Sequence, residues 1–194
     1  MSAVASLPIS PQFERETIMA WLGEVMDPEV PVVSVLDLGL VRDVEWLASA
    51  KSGSNQPALR VTVTPTYSAC PATEVIAQSI RSTLQAHGIA QVEVRTQLSP
   101  AWTTDWMSEK GREALRTYGI APPVLRASDA DTTQATSDSQ VIDISALLRP
   151  RAVVPCPQCA SPKTRLLSQF GSTACKALYQ CSDCLEPFDY FKPH

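Results

Sequence analysis

Along the chain, stretches whose apolar residues recur every three or four positions exchange with stretches in which they recur every two. Ile18, Trp21, Leu22 and Val25 fall at helical spacing in "PQFERETIMAWLGEVM", which predicts a helix over about 12–26. Pro28 and Pro31 in the following "DPEVPVVSVLDLGLV" forbid its continuation, because proline lacks the N–H and clashes with the preceding turn. "LVRDVEWL" and "ALRVTVTP" alternate or concentrate β-branched residues on either side of the turn-forming "SGSNQP", the pattern of a β-hairpin. Ala72, Val75, Ile76, Ser79, Ile80, Thr83 and Leu84 then share one face of a second helix. Pro71 suits its first turn and Gly88 its C-terminal end. "AQVEVRTQL" alternates again as a third strand, and "TTDWMSEKGREALRTYG" predicts a last helix that aligns Met107, Gly111, Ala114, Leu115 and Tyr118 and ends at Gly119.

The pattern stops at 126–140. "RASDADTTQATSDSQ" has no aromatic residue and no apolar residue larger than Ala, so burial cannot offset the entropy of ordering it. It reads as a linker, and "VIDISALL" after it is either a docking strand or the linker's continuation. The expected organisation is an α/β domain over 1–125, a linker over 126–152 and a small C-terminal domain over 153–194.

Five of the six cysteines lie in that last segment. Cys156-Pro-Gln-Cys159 and Cys181-Ser-Asp-Cys184 are two C-x-x-C pairs with 21 residues between them. Each pair can form a tight turn that points two sulfurs inward, and two such turns complete a tetrahedral set of thiolates. The intervening "TRLLSQFGSTACKALYQC" has β-prone residues on both sides of "GST", as a supporting hairpin requires. About 40 residues cannot build an adequate core alone, so a bound ion would supply folding free energy directly. Zinc is the expected ion. An iron–sulfur cluster accepts the same four-thiolate set, and a redox dithiol is the remaining reading of the pairs. Cys175 is a fifth thiol outside both pairs; it reads as a small core residue of the hairpin, with thiol chemistry as the alternative. His194 is not needed by a set that four cysteines complete. The fold class is therefore α+β: a small three-stranded sheet packed by helices, followed by a four-cysteine zinc ribbon.

With 194 residues and 44% hydrophobic composition, the chain can bury one good core and a small satellite. Residues 1–12 lack a basic stretch followed by an apolar one, and no apolar run approaches the roughly 18 residues of a membrane span. The chain is expected to be soluble and cytoplasmic, without a membrane partner. In that reducing compartment paired cysteines serve metals or catalysis more often than disulfides. The net charge of −4 is uneven: residues 1–150 carry 11 Lys/Arg against 17 Asp/Glu, and residues 151–194 carry 5 against 3. Four thiolates around a divalent ion bring the tail back near neutrality, and no basic cluster remains to follow a phosphate backbone. This argues against a zinc-ribbon nucleic-acid binder. The chain also has no E-x-x-H pair for a di-iron site and no G-x-G-x-x-G loop for a nucleotide cofactor, and its two histidines are His87 and His194. It is expected not to be an enzyme.

In "TPTYSACPATEV", Cys70 directly precedes Pro71 and the second helix. A helix N-terminus offers unsatisfied N–H groups and the positive end of the dipole, a setting that suits a thiolate. The plainer alternative is a buried cap cysteine. Asp27, Glu29 and Asp37, in the loop after the first helix, either bring carboxylates nearby or serve as turn and cap residues.

"DPEVPVVSVLDLGLVRDV", "VTVTPTYSACPATEVI" and "WTTDWMSEKGREALRTYGIAPP" resemble the small α/β domain of iron–sulfur assembly factors of the SufT and MIP type. With "CPQCASPKTRLLSQFGSTACKALYQCSDCLEPFDYFKPH" added, the chain is similar to the D-subunit family of the bacterial phenylacetyl-CoA epoxidase system. The resemblance spans roughly 12–125 and 153–194. It implies a maturation role in aerobic phenylacetate catabolism, with the oxygenase or reductase subunits of the epoxidase and iron–sulfur assembly proteins as partners. It implies that Cys70 is the family's characteristic cysteine and that Asp27, Glu29 and Asp37 belong to its first motif with Pro28, Leu38 and Gly39. The reading preferred on these grounds is an assembly factor in which Cys70 transiently holds iron or a cluster while the ribbon docks the client. The rivals are an accessory subunit of the epoxidase itself and a thiol oxidoreductase whose C-x-x-C pairs cycle as disulfides.

Overall fold

A computed structural model describes residues 12–47, 57–68, 70–124 and 153–193. The linker 126–152, with "VIDISALL", and His194 lie outside the described residues. The first domain runs α1 (Arg15–Leu22), β1 (Val41–Leu47), β2 (Ala58–Val63), α2 (Thr73–Ala86), β3 (Val92–Thr96), a 3-10 turn (Thr104–Trp106) and α3 (Glu109–Tyr118). Its sheet has the order β1-β2-β3: β1 and β2 are the expected antiparallel hairpin, and α2 carries the chain over to β3 parallel to β2. Leu59, Val61 and Val63 of β2 turn inward to meet Ile18 and Leu22 of α1 and Ile76, Ile80 and Leu84 of α2 in one core. On the other face Arg60 bridges Glu45 and Glu93 of the flanking strands at 3.0 and 3.2 Å.

Three element boundaries differ from the periodicity. Helix α1 stops at Leu22 rather than near residue 26, because the chain from Val25 to Val35 closes on itself. Met26 bridges Ser34, the Asp27 N–H donates to the Val33 carbonyl, and Val25, Val30, Val33 and Val35 are all buried by this closure. Helix α2 begins at Thr73, so Pro71 precedes it instead of occupying its first turn. A turn intervenes, in which the Thr73 N–H and hydroxyl both donate to the Cys70 carbonyl at 3.3 and 2.9 Å. Helix α3 begins at Glu109, after Ser108, whose Oγ accepts from the Gly111 N–H at 2.9 Å and caps the helix. Met107 is buried just outside it. Gly119 ends α3 in the left-handed conformation, with φ of 92°.

Gly39 is dictated by a close approach. Its φ is +67°, and a Cβ there would stand 2.2 Å from the Trp106 carbonyl oxygen. The loop after α1 and the segment before α3 are thereby pressed together.

The second domain is an antiparallel sheet of β4 (Thr164–Ser168), β5 (Lys176–Cys181) and β6 (Pro187–Phe191). It does not stand apart from the first. Ala121, beyond α3, pairs in parallel with Tyr190: the Ala121 N–H donates to the Asp189 carbonyl at 2.8 Å and the Phe191 N–H to the Ala121 carbonyl at 2.9 Å. Phe191 is buried in the first domain's core, beside Trp102. Among the described residues, no helix is long and apolar enough to cross a membrane.

Candidate functional site

The two C-x-x-C segments make the same turn twice. Cys156 donates its N–H to the Ser161 carbonyl and Cys181 its N–H to the Glu186 carbonyl, at 2.9 and 3.0 Å. The residue after the second cysteine of each pair is left-handed: Ala160 at φ 59° and Leu185 at φ 65°. Neither is glycine, so each turn holds a strained residue, at a cost of about 1–2 kcal/mol. What the turns achieve is convergence. The sulfurs of Cys156, Cys159, Cys181 and Cys184 all lie within 4.8 Å of one another. Cys156 Sγ is 3.7 Å from Cys184 Sγ, and Cys159 Sγ is 3.6 Å from Cys181 Sγ. A tetrahedron with metal–sulfur distances of about 2.3 Å has edges of about 3.8 Å, so this donor set fits one tetrahedral ion. The turns are also tied to each other, by the Ser161 hydroxyl donating to Asp183 at 2.6 Å and Lys163 pairing with Asp183 at 3.3 Å.

Crowding and backbone N–H groups move the Cys181 and Cys184 thiols in opposite directions. The backbone N–H groups of Cys184 and Asp183 point at the Cys181 sulfur and draw its pKa down to about 6. At Cys184 the Glu186 N–H pulls the other way, but burial and the three neighbouring sulfurs outweigh it and push the pKa up to about 12. A metal ion that binds here takes the place of that proton.

Cys70 lies in a different place. It is half-buried on the wall of a cleft of about 250 Å³ between the two domains. Glu29, Tyr67 and Pro71 line the cleft from the first domain, and the loop Ser172–Cys175, between β4 and β5, lines it from the second. Cys175 is therefore not in the hairpin's own core. It packs, half-buried, against the core of the first domain and shares the cleft with Cys70. Burial pushes the Cys175 thiol up; the Thr173 hydroxyl, 3.1 Å from its sulfur, opposes this, while Asp27 and Cys70 reinforce it.

The three carboxylates of the first motif divide between two tasks. Glu29 is exposed and lines the cleft. Asp27 accepts the N–H groups of Glu29 and Val30, both at 2.8 Å, and so shapes the loop that presents Glu29. Burial nevertheless raises its carboxyl above the usual range, against those two hydrogen bonds. Asp37 is not at the cleft. It accepts from the Ser34 and Ser108 hydroxyls at 2.8 and 2.9 Å and pairs with Lys110 at 3.4 Å, which fastens the loop to the start of α3. Burial alone would raise its carboxyl; the two hydroxyls and Lys110 together hold it below the usual value. His87, at the end of α2, stacks on Trp21 with ring centroids 4.4 Å apart and meets Glu24 at 3.1 Å.

A protein of Escherichia coli K12 named as the D component of 1,2-phenylacetyl-CoA epoxidase is 45% identical over 175 residues, which covers 90% of each chain. The chain belongs to the PaaD family. In this PaaD family member, residues 143–192 match the PaaD zinc beta ribbon domain and residues 15–95 match the iron–sulfur cluster assembly protein family. An Fe-S protein maturation auxiliary factor of Porphyromonas gingivalis is 34% identical over 97 residues, 50% of this chain and 85% of that one. A domain of unknown function from Bacillus anthracis, known from its crystal structure, is 28% identical over 52% of this chain and 89% of its own, with a TM-score of 0.43. The four-sulfur set and Cys175 fall in the matched ribbon, and Cys70 falls in the matched assembly domain. The cleft of the PaaD family member thus draws one thiol from each. The sequence marks Cys175 as a cysteine that neither pair uses but reads it as hairpin core, because nothing local records that its loop meets the first domain.

Proposed function

We propose that this protein is a maturation factor that helps the oxygenase or reductase of the phenylacetyl-CoA epoxidase system acquire its metal, without catalysing a reaction of its own. The observation that carries the reading is the half-buried Cys70 thiol on the wall of a cleft, within a region matched to the iron–sulfur cluster assembly family. A soft thiolate is an apt ligand for iron or a cluster, which is the cargo here and reaches Cys70 from iron–sulfur assembly proteins. Cys156, Cys159, Cys181 and Cys184 hold one structural zinc ion. Their spacing supports a single ion, since a multi-iron cluster sets its cysteine sulfurs on separate iron atoms and spreads them further apart. Glu29 and Asp27 support the cleft, and Asp37 acts through α3.

The test is Cys70→Ala, which removes the sulfur at little steric cost. Thermal stability should change only modestly, while growth on phenylacetate is lost and the oxygenase or reductase accumulates without its full metal content. Full complementation with fully metallated clients would reduce Cys70 to a turn residue.

The name of the Escherichia coli relative favours a second reading, an accessory subunit of the epoxidase. The two readings part on purified components. Oxygenase matured in the presence of this protein and then freed of it should epoxidise phenylacetyl-CoA at an undiminished rate; a need to add the protein back would replace maturation with the subunit reading.

A further inference from the structure

We infer that Cys70 and Cys175 together form a second metal site, shared between the two domains, that takes a thiophilic divalent ion of the ferrous type. The inference rests on reading Cys70 as a metal-holding thiol and adds to it the partner, the donor set and the lability of the site.

The two thiols reach the cleft from opposite sides. Cys70 comes from the turn before α2, and Cys175 from the loop between β4 and β5. Both are half-buried and pack against the first domain's core. Glu29 lines the same cleft from the first domain, and the two sulfurs are the donor pair. The loop that carries Cys175 is held in position on both flanks. The Gly171 N–H donates to the Lys176 carbonyl at 2.8 Å, the Lys192 N–H donates to the Cys175 carbonyl at 2.9 Å, and the buried Lys176 ammonium pairs with Asp189 at 3.2 Å. These contacts all lie within the second domain, so the ribbon itself holds Cys175 against the first domain's core.

The cleft also differs from the ribbon in the way a transfer site should differ from a structural one. Among the described residues, the tight set of metal-ligating groups within 4.8 Å is the ribbon's four thiols, a closed coordination sphere. An ion on Cys70 and Cys175 keeps open positions, where an incoming or outgoing ligand can bind before the protein lets go. On binding, each protonated thiol releases its proton to solvent and donates its sulfur lone pair to the ion, with no change in oxidation state.

The test uses the full chain with its ribbon already loaded with zinc, titrated anaerobically with cobalt(II), whose thiolate charge-transfer absorption counts sulfur ligands. The wild-type protein should take up one further cobalt ion with a two-thiolate band, and a chelator should strip it while the zinc stays. Cys70→Ser and Cys175→Ser should each weaken this second site by more than about tenfold, with zinc content and circular dichroism unchanged. In the unmutated protein, bound cobalt should shield both thiols from N-ethylmaleimide, read by peptide mass spectrometry. That measurement holds even if a serine variant fails to fold. No second cobalt ion, undiminished binding by Cys175→Ser, or protection of Cys70 alone would overturn the shared site. If Cys175→Ser binds cobalt normally while Cys70→Ala still fails to mature the clients, the shared site falls and the maturation reading stands. If both serine variants lose cobalt yet mature the clients normally, the shared site stands and the maturation reading falls.

Discussion

The ring of Phe191, on the last strand of the ribbon, lies 6.2 Å from that of Trp102 in the first domain, and both are buried. Trp102 in turn donates its indole N–H to the Leu38 carbonyl at 2.8 Å, in the loop that follows α1. The small domain therefore supplies part of the large domain's core, in addition to the strand pairing at Ala121.

Truncating that ring should act on both domains at once. Phe191→Ala is expected to destabilise the protein by about 3–5 kcal/mol in urea unfolding, with one shared transition. Proteolysis within 126–152, the proposed linker, should leave fragments that still elute together, and Phe191→Ala should let them separate. Two independent transitions, or wild-type fragments that part at once, would contradict the shared core.

Metal binding by the ribbon should release protons. Cys184, with its pKa pushed up to about 12, must lose its proton to coordinate, so the apparent affinity falls as the pH falls. Calorimetric titration with zinc in two buffers of different ionisation enthalpy measures the protons released; equal heats in both would refute the expectation. Replacing any one of Cys156, Cys159, Cys181 or Cys184 by Ser should abolish retention of one equivalent of zinc by elemental analysis.

The left-handed Leu185 can be relieved. Its side chain is exposed, so Leu185→Gly sacrifices little packing and removes the Cβ clash, for a gain of roughly 0.5–1 kcal/mol once the added chain entropy is counted. Leu167→Gly, in the extended strand β4, should instead lose roughly 0.5–1 kcal/mol. Thermal melts of the two variants should move in opposite directions.

Asp37→Ala should loosen the start of α3, at about 1–3 kcal/mol for the lost charge-assisted hydrogen bonds. Because the folded carboxyl lies below its ordinary value of 3.8, its stabilisation is fully present above that value and is lost as the pH falls through the folded pKa. The gap in stability between wild type and Asp37→Ala should therefore narrow in acid. A gap that stays constant from neutral to strongly acidic pH would assign the effect to packing.

The hairpin β1–β2, the helices α2 and α3 and the four ribbon thiols were legible because each is recorded locally, as a period in burial or as a spacing between cysteines. Ser108 as the cap of α3 was hidden by the helix-like continuation of Met107 upstream, and the early end of α1 by Val25, which is buried from a loop instead of a helix. The cleft could not be read at all. Cys70 and Cys175 are brought together by the docking of two domains across a linker, and such a contact leaves no period in either segment. Asp37 shows the same limit: an acid in a motif looks equally apt as a ligand or a clamp until Ser108 is found on its other oxygen.

The pairing of Ala121 with Tyr190 bears on the order in which the chain is made. Synthesis runs from the N-terminus, so residues 12–124 leave the ribosome well before β6 does. Until then the nascent first domain shows water an unfilled place beside Trp102 and an unpaired backbone edge at Ala121. The growing polypeptide must wait, partly closed, for its own last strand, and for that interval it presents the kind of surface that chaperones bind.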